Sequence, residues 1–193
     1  MAGAQDTNQQ INFAQSAGAL GAAMPPVWNR TEVFTDSMGP AAAQSAVVSG
    51  FNAGQSLISY TGHSGPLQWG FENLLNSSQI GSLAANGSQP IVLQFGCWTT
   101  YFVSPTANTM GHALMLIPLR GASAVLGSTV LLDQPSHDAM AAAIAGRLTP
   151  GARIGDAVRD AKRQIADESR NAFGGIEVYL GISLLGDPAQ PIR

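Results

Sequence analysis

Two short apolar runs, each followed by a reactive side chain, constrain this chain more than any other feature. The first is Ser56-Leu57-Ile58-Ser59-Tyr60, followed by Thr61-Gly62-His63-Ser64-Gly65. The second is Pro90-Ile91-Val92-Leu93-Gln94-Phe95, followed by Gly96-Cys97. Both are rich in branched or aromatic residues and bounded by Gly or Pro, the pattern of a buried strand. If the two strands are parallel neighbours, His63 and Cys97 emerge at the same carboxyl edge, where open α/β sheets place their ligand sites. The only cysteine of the chain then faces a histidine, a pairing that points to a cysteine nucleophile.

The remaining segments alternate in type. Helices are predicted over Ile11–Met24, Pro40–Asn52, Ser77–Ala85, Met110–Leu119, Ser136–Leu148 (capped by Ser136) and Ile154–Ser169. Further strands are predicted over Thr31–Thr35, Ala122–Leu126 and Glu177–Ser183, with loops at Gly65–Gly70 and Trp98–Asn108. Alternation of this kind implies an α/β fold with a mostly parallel, doubly wound sheet and helices on both faces. At 193 residues, 45% hydrophobic and 11% charged, the composition suits one domain whose sheet is covered on both sides. A doubly wound sheet ordinarily opens on a strand, whereas the first long element here is a helix. Met1–Ala4 therefore reads as the end of a first strand whose beginning lies in a longer precursor.

Several function classes lose support. A net charge of −3 disfavours a nucleic-acid partner. No apolar stretch is long enough to span a bilayer, and Met1–Gln10 lacks the basic and apolar regions of a signal peptide. Histidines at ligand spacing, a GxGxxG turn, a Walker A loop and a Gly-x-Ser-x-Gly elbow are all missing, so neither metal nor cofactor is implied. The bland readings stay open beside the sharp one. A lone cysteine is often an inert core residue, and His63 could be a polar turn residue. His112 reads as a core or edge histidine, and His137 as a helix-start cap.

Taken together, these residues resemble the gingipain-type cysteine peptidases, peptidase family C25, of the caspase-like clan. The likeness rests on Tyr60-Thr61-Gly62-His63-Ser64-Gly65 with Trp69, on Ile91–Cys97 followed by Phe102, and on the 34 positions between His63 and Cys97. It continues through Gly121–Thr129, Gly155–Lys162 and Leu184-Leu185-Gly186-Asp187-Pro188. The resemblance implies a caspase-like fold and a cysteine endopeptidase acting on a peptide or protein, secreted or cell-surface, without a cofactor, flanked by other domains of its precursor. Cys97 would attack the scissile carbonyl and form a thioester, and His63 would protonate the leaving amine. The N–H groups of Cys97 and Ser64 would hold the oxyanion. Asp6 would orient His63, and Thr61, Phe95, Asn12 and Gln134 would line the substrate pocket.

Ser64 stands where the family usually has glycine. If that position requires a positive φ, serine is strained there. Three rivals share the pattern. One is a CHAT-type caspase-related protease, against which the ending Leu184–Pro188 counts. Another is a non-catalytic caspase-like binding module, favoured by the Ser64-Gly65 order. The third is a sorting transpeptidase that passes the acyl group to an amine.

Overall fold

The fold was obtained as a computed structural model, which describes all residues except 1, 4, 7–10, 86, 104–108 and 169–172. For 2, 3, 5, 6, 173 and 174 it describes the backbone alone. The elements run β1 (Ala2–Gly3), β2 (Gln5–Asp6), β3 (Ile11–Asn12), α1 (Phe13–Ala23), β4 (Val33–Phe34), α2 (Thr35–Met38), α3 (Pro40–Asn52) and β5 (Leu57–Thr61). They continue with β6 (Ser64–Gly65), β7 (Gln68–Trp69), β8 (Leu75–Asn76), a 3-10 helix (Ser77–Ser82), β9 (Ile91–Phe95), α4 (Met110–Leu116) and β10 (Ala124–Ser128). The last are α5 (Gln134–Ala145), α6 (Ile154–Glu168), α7 (Phe173–Gly181) and β11 (Ile182–Gly186).

The central sheet has six strands in the order β11-β10-β9-β5-β1-β4. All neighbours are parallel except β11, which pairs antiparallel to β10 at one edge. Alternate side chains of each strand feed opposite faces. Ile91, Leu93, Phe95 and Leu126 pack with α1, α5 and α6 through Leu20, Met140, Ile144 and Ala157. Val92, Val125 and Tyr60 pack on the other face with Val47, Phe51, Ile80 and Leu114. Both faces are covered, as the low charge fraction requires. Ala2–Gly3 lies inside the sheet between β4 and β5.

The departures from expectation are local. The predicted strand Glu177–Ser183 is instead helix through Gly181 and strand from Ile182 to Gly186. A short apolar run fits either period, and here Val178 is drawn into the core with Ile165 and Leu132. Helix α5 starts before Ser136: Asp133 is its cap and accepts from the Ser136 N–H at 2.9 Å. Asn76, not a serine, caps the 3-10 helix in a reciprocal capping box with Gln79. Helix α4 stops at Leu116 because Ile117 precedes Pro118 and is extended. Ile11 and Asn12 belong to a strand, so α1 begins at Phe13. The predicted strand at Thr31–Thr35 is only Val33–Phe34, with Thr35 opening α2. Gly65–Gly70, expected as a loop, carries part of a three-stranded antiparallel sheet of β6, β7 and β8.

That small sheet fastens the end of β5. Trp69 is fully buried, stacks on Tyr60 at 4.8 Å, and donates from Nε1 to Gln94 Oε1 at 2.6 Å. Gln94 Nε2 is buried without a partner, so the indole bond satisfies only the oxygen of this amide. Trp69→Phe is expected to keep the packing but cost about 2 kcal/mol in chemical denaturation. An unchanged midpoint would show that the bond carries nothing.

Candidate active site

His63 and Cys97 each lie two residues beyond the end of a paired strand. Leu57 pairs with Ile91 and Thr61 with Phe95, an offset of 34 that equals the spacing of His63 from Cys97. One further bond, from Gly62 N–H to the Phe95 carbonyl at 3.1 Å, extends the ladder to the foot of both turns. The register therefore delivers both side chains to one carboxyl edge, and both are half-buried there.

Each turn is held by specific contacts. The Tyr60 hydroxyl donates to the His63 carbonyl, and burial holds this phenol well above its usual range, with the Glu72 carboxylate adding to the effect. The Gly70 N–H donates to the same carbonyl at 2.7 Å. The imidazole sits between aromatic rings, 5.0 Å from Phe13 and 5.1 Å from Phe71. Helix α1 thus reaches the histidine through its first residue.

The cysteine turn is pinned to β10. Trp98 N–H bonds the Val130 carbonyl at 3.2 Å, and Thr100 N–H bonds the Ser128 carbonyl at 2.9 Å. Thr99 Oγ1 accepts from Ser128 N–H at 3.1 Å. Trp98 itself is left-handed, with φ of 55°, a conformation unfavourable for a bulky residue. No protein acceptor among the described residues takes the Cys97 N–H. The thiol donates to the Leu132 carbonyl at 3.4 Å.

The two turns also touch. Ser64 Oγ donates to the Cys97 carbonyl at 2.8 Å. Ser64 is absent from the described non-glycine residues with positive φ, which are Asn73, Trp98 and Leu119. The strain feared at Ser64 does not arise, and the serine has a use that glycine would lack. Ser64→Ala is expected to cost about 1 kcal/mol of stability and to slow alkylation of Cys97 by peptidyl probes about tenfold. Equal rates in variant and parent would mean that the bridge positions nothing.

The remaining pocket candidates divide. Asn12 and Gln134 line one cleft of about 470 Å³ between α1 and α5, together with Gln15, Ser16 and Asp138. Asn12 caps α1 by accepting from Gln15 N–H at 2.9 Å, and Gln134 donates to Asp138 at 2.8 Å. Thr61 and Phe95 are only 3% and 2% exposed and do not line this cleft. Phe95 packs in the core with Leu20 and Met140. The side chain of Asp6 lies outside what is described; its backbone pairs with Ile11. His112 is half-buried on α4. His137 is 3% exposed with neither ring nitrogen bonded, so it is a buried neutral ring rather than the expected cap. Sequence reasoning missed the Ser64–Cys97 bridge and the aromatic flanks of His63, since neither leaves a local signature.

The chain matches peptidase family C25 over residues 1–193. Among solved structures, it superposes on the Arg-specific cysteine proteinase gingipain R with a TM-score of 0.80 at 15% identity, covering 100% of this chain and 47% of that one. The complex of Porphyromonas gingivalis RgpB pro- and mature domains gives 0.77 at 16% identity, covering 100% and 48%. A third structure, described as a protease, gives 0.66 at 15% identity over 75% of this chain and 37% of that one. The chain thus spans about half the length of the gingipain R structure. No curated protein matches its sequence.

Proposed function

We propose, from the premise that this chain belongs to peptidase family C25, that it cleaves peptide bonds with Cys97 as nucleophile and His63 as proton donor. The observation that carries this reading is the shared register, which sets both residues two positions past paired strand ends at one sheet edge.

In the proposed reaction the Cys97 sulfur, as thiolate, adds to the scissile carbonyl. Collapse of the tetrahedral intermediate breaks the C–N bond, and His63 gives its proton to the departing amine. Water then adds to the thioester, the C–S bond breaks, and the carboxylic acid and the cysteine are released. The Cys97 N–H, which has no acceptor among the described residues, and the Ser64 N–H are the donors proposed for the oxyanion in both steps. Asn12 and Gln134 are proposed to meet the substrate side chain in the cleft between α1 and α5. Neither is charged, so a preference for a basic residue is not expected there. Thr61 and Phe95 would act from beneath, by filling space under the two turns, and Asp6 is proposed to orient His63. The substrate is proposed to be a peptide or protein.

The test is product analysis on a defined peptide mixture, with and without an added amine acceptor. Cleavage to free acids, slowed about 10²–10⁴-fold by His63→Ala, is expected. Acyl transfer to the amine would instead make the protein a transpeptidase. Undiminished cleavage by His63→Ala would remove His63 from the mechanism.

A further inference from the structure

Phe71 is the most exposed large apolar side chain among the described residues, at 78%. Its ring centroid nevertheless lies 5.1 Å from the His63 imidazole. A scattered exposed phenylalanine calls for no account of its own. One that is fastened beside a reactive histidine does.

The fastening is a turn over residues 69–74. Leu74 N–H closes it on the Trp69 carbonyl at 2.8 Å, and Asn73 N–H bonds the Gly70 carbonyl at 3.3 Å. Both ends are sunk in the core, since Trp69 and Leu74 are fully buried. Gly70 and Asn73 take the left-handed conformations the turn needs, with φ of 69° and 56°. Gln44 on α3 donates from Nε2 to the Asn73 carbonyl at 2.7 Å, and Asn76 Nδ2 donates to Asn73 Oδ1 at 3.0 Å. The same turn grips the histidine through the bond from Gly70 N–H to the His63 carbonyl. The Phe71 ring is therefore held at a set place beside the imidazole, with most of its surface left to solvent. The other ring beside the imidazole, Phe13, is buried. Of the two, only Phe71 can meet a molecule arriving from solvent.

The proposed mechanism gives that position a meaning. His63 passes its proton to the departing amine, so the amine nitrogen lies within hydrogen-bond reach of the imidazole. The side chain of the residue that begins with this nitrogen then falls beside Phe71. We propose that Phe71 selects the residue on the amine side of the scissile bond and favours a large apolar one, aromatic or branched aliphatic. The inference rests on the reading of His63 and Cys97 as the reacting pair. Such a side chain covers the exposed ring and removes apolar surface of both partners from water. Alanine leaves the ring wet. Aspartate brings a second carboxylate beside that of Glu72, the next residue of the turn, which folds back over Gly70.

The experiment uses four peptides that share one sequence up to the cut and differ in the next residue: Phe, Leu, Ala or Asp. The shared sequence is that of the peptidyl probe that labels Cys97 fastest. kcat/KM is read from the released amine. In the parent, Phe and Leu are expected to exceed Ala at least about tenfold, with Asp slowest. Phe71→Ala should bring the Phe-to-Ala ratio to within about twofold, and Phe71→Leu should keep it above about threefold. Equal rates for the four peptides in the parent would overturn the proposal. So would a ratio that Phe71→Ala leaves intact, even with every peptide slowed together, because the ring would then only steady His63. A peptidyl chloromethyl ketone, which carries no residue beyond its reactive carbon, reports on Cys97 alone. Labelling of the parent by that probe beside equal peptide rates would strike out the role of Phe71 and leave the peptidase reading standing. Neither labelling nor cleavage would end both.

Discussion

Gly96→Ala is expected to lower stability by about 2–3 kcal/mol and to slow labelling of Cys97 by more than about a hundredfold. A Cβ at Gly96 would sit 2.3 Å from Ser64 Oγ and 2.6 Å from the Gly62 carbonyl oxygen. The hydroxyl could swing away, at the loss of its bond to the Cys97 carbonyl. The backbone oxygen could not, because the Gly62 N–H is tied to Phe95. The two turns must therefore separate, and with them the two reactive side chains. Gly65→Ala is the matched control: a Cβ there meets nothing within 4 Å, and neither stability nor labelling should change. The pair is read by urea denaturation and by intact-mass kinetics with a peptidyl probe. If Gly96→Ala reacted as fast as the parent, contact between the turns would not matter to the site.

Acid is the second large lever. Burial holds the His137 imidazole down to about 4, against a partial pull upward from Asp133. Above pH 6.5 the ring is neutral folded or unfolded, and the group has no effect on stability. Between about 6.5 and 4 the unfolded chain binds a proton that the native ring refuses, so stability falls as pH falls. Over that window the loss amounts to about 3 kcal/mol. In His137→Leu the ring is gone, and Tm should decline less steeply over the same window while matching or exceeding the parent at pH 5. Parallel Tm–pH curves would mean that the native ring protonates as readily as a free one. Any fall in the rate of the proposed cleavage over that range should then be compared in His137→Leu, so that unfolding is not mistaken for a change at the site itself.

What the sequence made legible was whatever one residue period and one punctuating residue could encode. Ser56–Tyr60 and Pro90–Phe95 announced buried strands, and the place of His63 and Cys97 just after them pointed to one carboxyl edge. The amphipathic stripe Ile154, Ala157, Val158, Ala161 and Ile165 gave α6, and all five residues are buried. The segment after Glu177 was not legible, because an apolar run of that length satisfies both helix and strand until a neighbour decides. Here α7 packs on α5 and α6, and only Ile182 onward reaches β10. The small sheet around Trp69 was missed because two-residue strands have no period to read. At the site, reactive types and their order were visible, but their supports were not. The Ser64–Cys97 bridge spans 33 positions, and the indole–Gln94 bond spans 25. Such pairings exist only once the strands are side by side. The same holds for Phe95, whose place beneath the turn makes it core rather than a wall of the cleft.

The central claim is that Cys97 is a nucleophile presented to a peptide bond. The direct measurement is active-site labelling of the intact chain with a panel of peptidyl acyloxymethyl ketones differing in the residue next to the warhead. Beside it run Cys97→Ala, His63→Ala and a simple alkylating agent. The account predicts one adduct per chain, on Cys97, with a clear preference for one neighbouring residue, absent in Cys97→Ala and slowed in His63→Ala. Modification by the simple alkylating agent but by none of the peptidyl probes would contradict it, since the thiol would then be reachable without being part of a peptide-binding site.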